Sequence, residues 1–150
     1  MKILHVTPHL DGDVGEGHAA IAAHLPDVVQ QTFVVLTPQR DPRPVARLRA
    51  TGARVVPGAR IEHIPALAKA ADIVQFEVWD DPRLREVLER CDFPAMRSVV
   101  RSHGAGRAAA VPAETVSPAQ AAQDFMILWL GLLSEEPKRR DFRQVLAGAA

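Results

Sequence analysis

Apolar runs of strand length alternate with helix-length stretches along most of the chain. Lys2 to Val6 is a short run containing two β-branched residues, and the turn-rich stretch Thr7 to Gly17 follows it. His18 to Leu25 is alanine-rich and stops at Pro26-Asp27, which predicts a helix. Thr32 to Leu36 is apolar almost throughout, as a strand covered on both faces should be. Pro42 to Thr51 predicts a helix with Val45, Ala46 and Leu48 on one face and Gly52 as its stop, and Arg54 to Val56 a short strand. Ile61 to Ala71 places Ile61, Ile64, Leu67 and Ala68 on one helical stripe. Ile73 to Phe76 is a further buried-type strand. Asp80 or Asp81 then caps a helix that starts at Pro82, runs to Arg90 and gathers Leu84, Val87 and Leu88 on one side. Arg97 to Arg101 is the next strand, and Glu114 to Val116 a candidate last one. Ser117-Pro118 opens a long helix to about Ser134, and Lys138 to Leu146 forms a terminal helix after Pro137.

Strands that alternate with helices and are apolar along their whole length imply a parallel sheet with helices on both faces. Right-handed crossovers make this an α/β, doubly wound, Rossmann-like three-layer sandwich of five or six mainly parallel strands. Residues 1–118 carry the alternating pattern. Residues 119–150 form a C-terminal helical segment expected to pack on that domain or on a partner.

Composition narrows the function classes. The 150 residues amount to about one domain, 47% hydrophobic and 24% charged. Eighteen basic residues balance eighteen acidic ones, so no excess charge exists to release counterions from nucleic acid. A single cysteine, Cys91, excludes an internal disulfide framework, fits a reducing cytoplasm and reads as structural. The N-terminus lacks the pattern of a signal peptide. The longest apolar run, Phe125 to Leu133, is about half the length of a membrane span.

In a sheet of this kind ligands bind beyond the carboxyl ends of the strands, so the loops leaving each strand hold the candidate chemistry. In the first, Gly12, Gly15 and Gly17 would let backbone approach a ligand, beside a helix N-terminus that offers N–H groups to an anion. Their spacing matches neither GxGxxG nor GxxxxGK[ST]. A cradle for a sugar or phosphate and a plain connection both fit. Glu77 and Trp79 leave the middle strand, an acid and an aromatic suited to carbohydrate, next to Asp80 and Asp81, which suit helix capping. His103 followed by Gly104 ends a later strand, as a proton-transfer or orienting group or as a histidine satisfied by its own turn. His9 and His18 flank the glycines as candidate ligand contacts, whereas His5 reads as core, and His24 and His63 as helix surface. No His/Cys/Asp spacing recommends a metal site, and neither GxSxG nor HExxH occurs.

Three stretches together, MKILHVTPHLDGDVGEG, ADIVQFEVWDDP and SVVRSHGAG, resemble the N-terminal, acceptor-side half of GT-B glycosyltransferases of the retaining, family 4 kind. The resemblance spans residues 1–118, where Glu114 to Pro118 is similar to the family's next strand and its Ser-Pro ending. It implies that Gly12, Gly15 and Gly17 are loop glycines near a nucleotide sugar; His18 joins the candidate contacts by its position beside them, not by the resemblance. It also implies that His103-Gly104 is the His-Gly pair beside the active centre, with His103 catalytic, and that Glu77 and Trp79 face the acceptor. No cofactor is implied beyond the nucleotide sugar as co-substrate. The family's second domain carries an E-x7-E motif, and here no two glutamates are eight apart. The chain is therefore expected to need a donor-binding partner, because sugar transfer takes groups from both sides of a cleft. The alternative is a non-catalytic binding or scaffold module of the same ancestry.

Beyond Pro118 the pattern changes. Phe125 to Leu133 is apolar all round the helix, so one face packs on the sheet and another needs cover. A partner protein or a second copy, anchored by Phe125, Trp129 and Leu132, is the leading expectation. The terminal helix folded back ranks close behind it, and a membrane surface, helped by Lys138, Arg139 and Arg140, ranks last.

Overall fold

The computed structural model describes residues 1–78, 81–102 and 116–148. Five strands, β1 (Lys2–Thr7), β2 (Gln30–Val35), β3 (Arg54–Pro57), β4 (Ile73–Val78) and β5 (Ser98–Ser102), form one sheet in the order β3-β2-β1-β4-β5. Every pairing is parallel. This is the α/β, Rossmann-like three-layer architecture that the alternating pattern predicts. The candidate strand at Glu114 lies outside the described residues.

Each helix covers the face its apolar stripe demands. Leu4, Val6, Val34, Val74 and Phe76 point to one side, where α3 (Ile64–Lys69), α4 (Pro82–Arg90) and α6 (Phe142–Gly148) close over them. There the rings of Phe76, Phe93 and Phe142 meet edge to face with centroids 5.2–5.6 Å apart. On the other side, α1 (Gly12–Ala22) and α2 (Pro42–Ala50) bury Ala19, Ala22, Val45 and Leu48 against Phe33, Val35 and Val55. Beside them α5 (Pro118–Leu133) lays Phe125 and Trp129 over Ile3 and Ile73.

The caps sit where the sequence puts them. Asp41, Asp81 and Ser117 each accept a backbone N–H from two or three residues downstream, with proline at the next position. Two expectations fail. The stretch to Gly17 is helix from Gly12 onward, because Gly12 takes the left-handed turn (φ 58°) that admits the chain to α1. The terminal helix does not cover α5: Phe142 and Leu146 dock on the opposite face of the sheet. The connection is held by Met96 and Lys138, which exchange antiparallel backbone hydrogen bonds at 3.0 and 3.1 Å.

Candidate functional site

Strand order reverses between β1 and β4, and β1, β4 and β5 put His5, Gln75, Glu77 and Arg101 on the same face. The register sets His5 beside Phe33 on one side and Gln75 on the other, and Glu77 beside Arg101. Side chains two apart share a face, so His5, Gln75, Glu77 and Arg101 form a polar row under α1 and α5. Burial is nearly total for three of the four: Gln75 and Glu77 have no exposed surface and His5 has 1%.

Buried polar groups need partners, and most of these have them. The Trp129 indole N–H donates to Gln75 Oε1 at 3.0 Å, and Gln75 Nε2 donates to Glu77 Oε1 at 2.6 Å. Arg101 Nη1 approaches the same carboxylate oxygen at 3.5 Å, with its guanidinium 4.7 Å above the Phe125 ring. The His5 ring stacks on Phe33 with centroids 4.2 Å apart and takes the edge of His18 at 5.7 Å. Its Nε2 lies 2.9 Å from the Gln31 side-chain nitrogen, while Nδ1 is buried without a hydrogen-bond partner, 3.9 Å from Glu77 Oε1. Burial pushes the His5 pKa below its ordinary value. The neighbouring Glu77 carboxylate opposes that shift, and the charge of Arg101 adds to it.

The glycines do a different job from the one expected of a ligand-cradling loop. All three lie in α1. A methyl group at Gly15 would overlap the Leu10 carbonyl and the Pro44 side chain, so this glycine permits the close packing of α1 on its own entry loop and on α2. Gly17 has open space around its Cβ position. His18, on the inner side of the same helix, is 8% exposed and reaches the polar row. Glu77 faces inward rather than toward an open acceptor surface. Trp79, His103 and Gly104 lie outside the described residues; they directly follow the ends of β4 and β5 in sequence.

The expected interface anchors require correction. Trp129 is fully buried and Phe125 is 9% exposed, both turned onto the sheet because the indole N–H finds Gln75 there. Leu132 is half-buried against the same cluster. The outward side of α5 carries Ile127, Leu128 and Leu130 instead, at 71%, 40% and 55% exposure. Among the described residues no helix is long and apolar enough to cross a membrane.

Sequence reading missed His5, Gln75 and Arg101. Part of the signal was present: Gln75 and Glu77 stand two apart in a strand otherwise made of Ile, Val and Phe. At the carboxyl ends of β2 and β3 a cavity of about 500 Å³ opens between Pro38, Pro42, Val45 and Pro57. The Gln39 amide, buried and without hydrogen-bond partners, is part of its lining. A hollow of about 510 Å³ opens at the amino ends of β1 to β3, near Lys2, Gln30 and Arg54, at the end of the sheet opposite the one where folds of this kind bind ligands. No protein-family model matches the chain, and a search of curated proteins finds no match.

Proposed function

We propose that the chain is the acceptor-side half of a GT-B-type, family 4-like glycosyltransferase, transferring sugar from a nucleotide sugar when a donor-binding partner completes the cleft. The observation that carries this reading is the Glu77–Arg101 pair at the carboxyl ends of β4 and β5. It stands beside the reversal of strand order, where doubly wound sheets hold their ligands. Glu77 acts as a positioning residue. Its carboxylate holds Arg101, whose side chain keeps 35% of its surface exposed and so offers a fork of N–H donors to a phosphate or a sugar hydroxyl. The segments that follow these strands contain Trp79 and His103-Gly104, to which the family resemblance assigns roles in the site. The cavity beside Gln39 offers room for an acceptor with an apolar part. The reading includes a reducing cytoplasmic setting, supported by the lone Cys91.

The second reading is a binding module of the same ancestry that works through protein–protein contact, as a homo-oligomer or with another chain. Exposed Ile127 and Leu130 on α5 favour it. One experiment separates the two. The purified chain, alone and mixed with candidate donor-binding chains, is incubated with a panel of nucleotide sugars, and release of the nucleoside diphosphate is followed. The enzyme reading expects release that needs both chains and falls at least about a hundredfold in His103→Ala. Stable complexes without any release support the module. A rate unchanged in His103→Ala removes the role given to that histidine.

A further inference from the structure

We propose that His5, His18 and Glu77 form a binding site for a divalent transition-metal ion of the zinc class. They come from β1, α1 and β4, so their spacing in the sequence, 13 and 59 residues, hides the set that the fold brings together. One donor atom from each lies within 4.8 Å of the other two. The centre of such a triangle is at most about 2.8 Å from every donor. Each donor therefore moves in by about 0.7 Å or less to reach the ~2.1 Å of a zinc–nitrogen or zinc–carboxylate bond.

A second observation points to the same place. His5 Nδ1 is a buried polar atom with no hydrogen-bond partner, and it faces Glu77 Oε1 at 3.9 Å. That gap is too long for a hydrogen bond and close to the span of two donors on opposite sides of one ion. Two imidazoles and one carboxylate suit zinc-class ions, whereas calcium and magnesium call for shells of oxygen. Three protein ligands also leave a fourth tetrahedral position for a water molecule or a ligand oxygen.

The surroundings hold the ligands in place. With the Gln31 amide turned over, its oxygen accepts from His5 Nε2–H and Nδ1 presents a lone pair to the ion. Gln75, itself fixed by Trp129, orients the Glu77 carboxylate. Arg101 competes with the ion for that carboxylate, because its guanidinium lies 3.5 Å from Oε1. Metal binding thus draws Glu77 away from Arg101.

The test uses the full chain freed of metal by a chelator, titrated with Zn²⁺ by calorimetry and with Co²⁺ by visible absorption. We expect one equivalent to bind, with the intense d–d bands of a four-coordinate site. His18→Ala and Glu77→Gln should each weaken Zn²⁺ binding by about a hundredfold or more, and Arg101→Gln should tighten it several-fold. Replacing the exposed His24 and His63 together should leave the affinity unchanged. Absence of one-to-one binding overturns the proposal, as does affinity that survives in His18→Ala and Glu77→Gln or falls with the surface pair. The Co²⁺ spectrum is read on the unaltered chain, so a variant that fails to fold leaves the test standing. Because the readout is binding, its outcome is independent of any sugar transfer.

Discussion

The two faces of the sheet solve the same packing problem with different chemistry. Under α3, α4 and α6, the strands present mostly apolar side chains, and the centre is the ring cluster of Phe76, Phe93 and Phe142. Under α1 and α5, the same strands present His5, Gln75 and Glu77, wired to Trp129 and Arg101. A buried amide or carboxylate is costly unless paired, whereas well-packed apolar residues of similar volume carry no such cost. A chain able to build the first face has no need of the second for stability. Departures from local folding rules concentrate where a protein does its work, so the polar face is the one on which chemistry is to be sought.

The largest expected effect breaks the apolar face. Phe142→Ala removes a ring that contacts both Phe76 and Phe93 and that anchors α6. It should cost about 3–5 kcal/mol in urea denaturation, while a loss under about 1 kcal/mol would show that α6 is dispensable. Next comes the boundary between the faces. Gly15→Ala forces a methyl into the Leu10 carbonyl and Pro44, at a cost of about 1–3 kcal/mol. Gly17→Ala, two positions on, should gain up to about 1 kcal/mol, because it meets open space and alanine favours the helix. Equal effects at the two positions would contradict the packing role given to Gly15.

The same contrast explains what was legible in the sequence. The apolar face announces itself: strands of Ile, Val and Phe, the stripe of Leu84, Val87 and Leu88, and the caps Asp81 and Ser117 all read correctly from residue type and spacing. The polar face does not. Gly12 to Gly17 reads as a loop because glycine disfavours helix, yet contacts with Leu10 and α2, distant in sequence or specific to the fold, decide the matter. A helix apolar on every side, such as α5, gives no sign of which residues turn inward. Gln75, some fifty residues earlier, selects Trp129 by accepting its indole N–H, and leaves Ile127 and Leu130 outside. His5, His18 and Glu77 meet only once the strand order is known.

The smallest effect sharpens the comparison by pH. Burial holds the His5 pKa below the ordinary 6.5, against the pull of Glu77. The unfolded chain then binds a proton at a pH where the folded chain does not, so the neutral ring's contribution is complete above about pH 6.5. It is lost as pH falls through the lowered folded value, with a slope of at most about 1.4 kcal/mol per pH unit for one group. Unfolding free energies measured with chelator present, between pH 8 and pH 5, should therefore decline more steeply in the unaltered chain than in His5→Gln. Phe142→Ala should lower the whole curve and leave its slope as it was, because Cys91, the half-buried titratable group packed against that face, has its pKa pushed up to about 11, outside this range. Parallel curves for the unaltered chain and His5→Gln would mean that the polar row takes up a proton as readily folded as unfolded, and the division of labour between the faces would lose its electrostatic half.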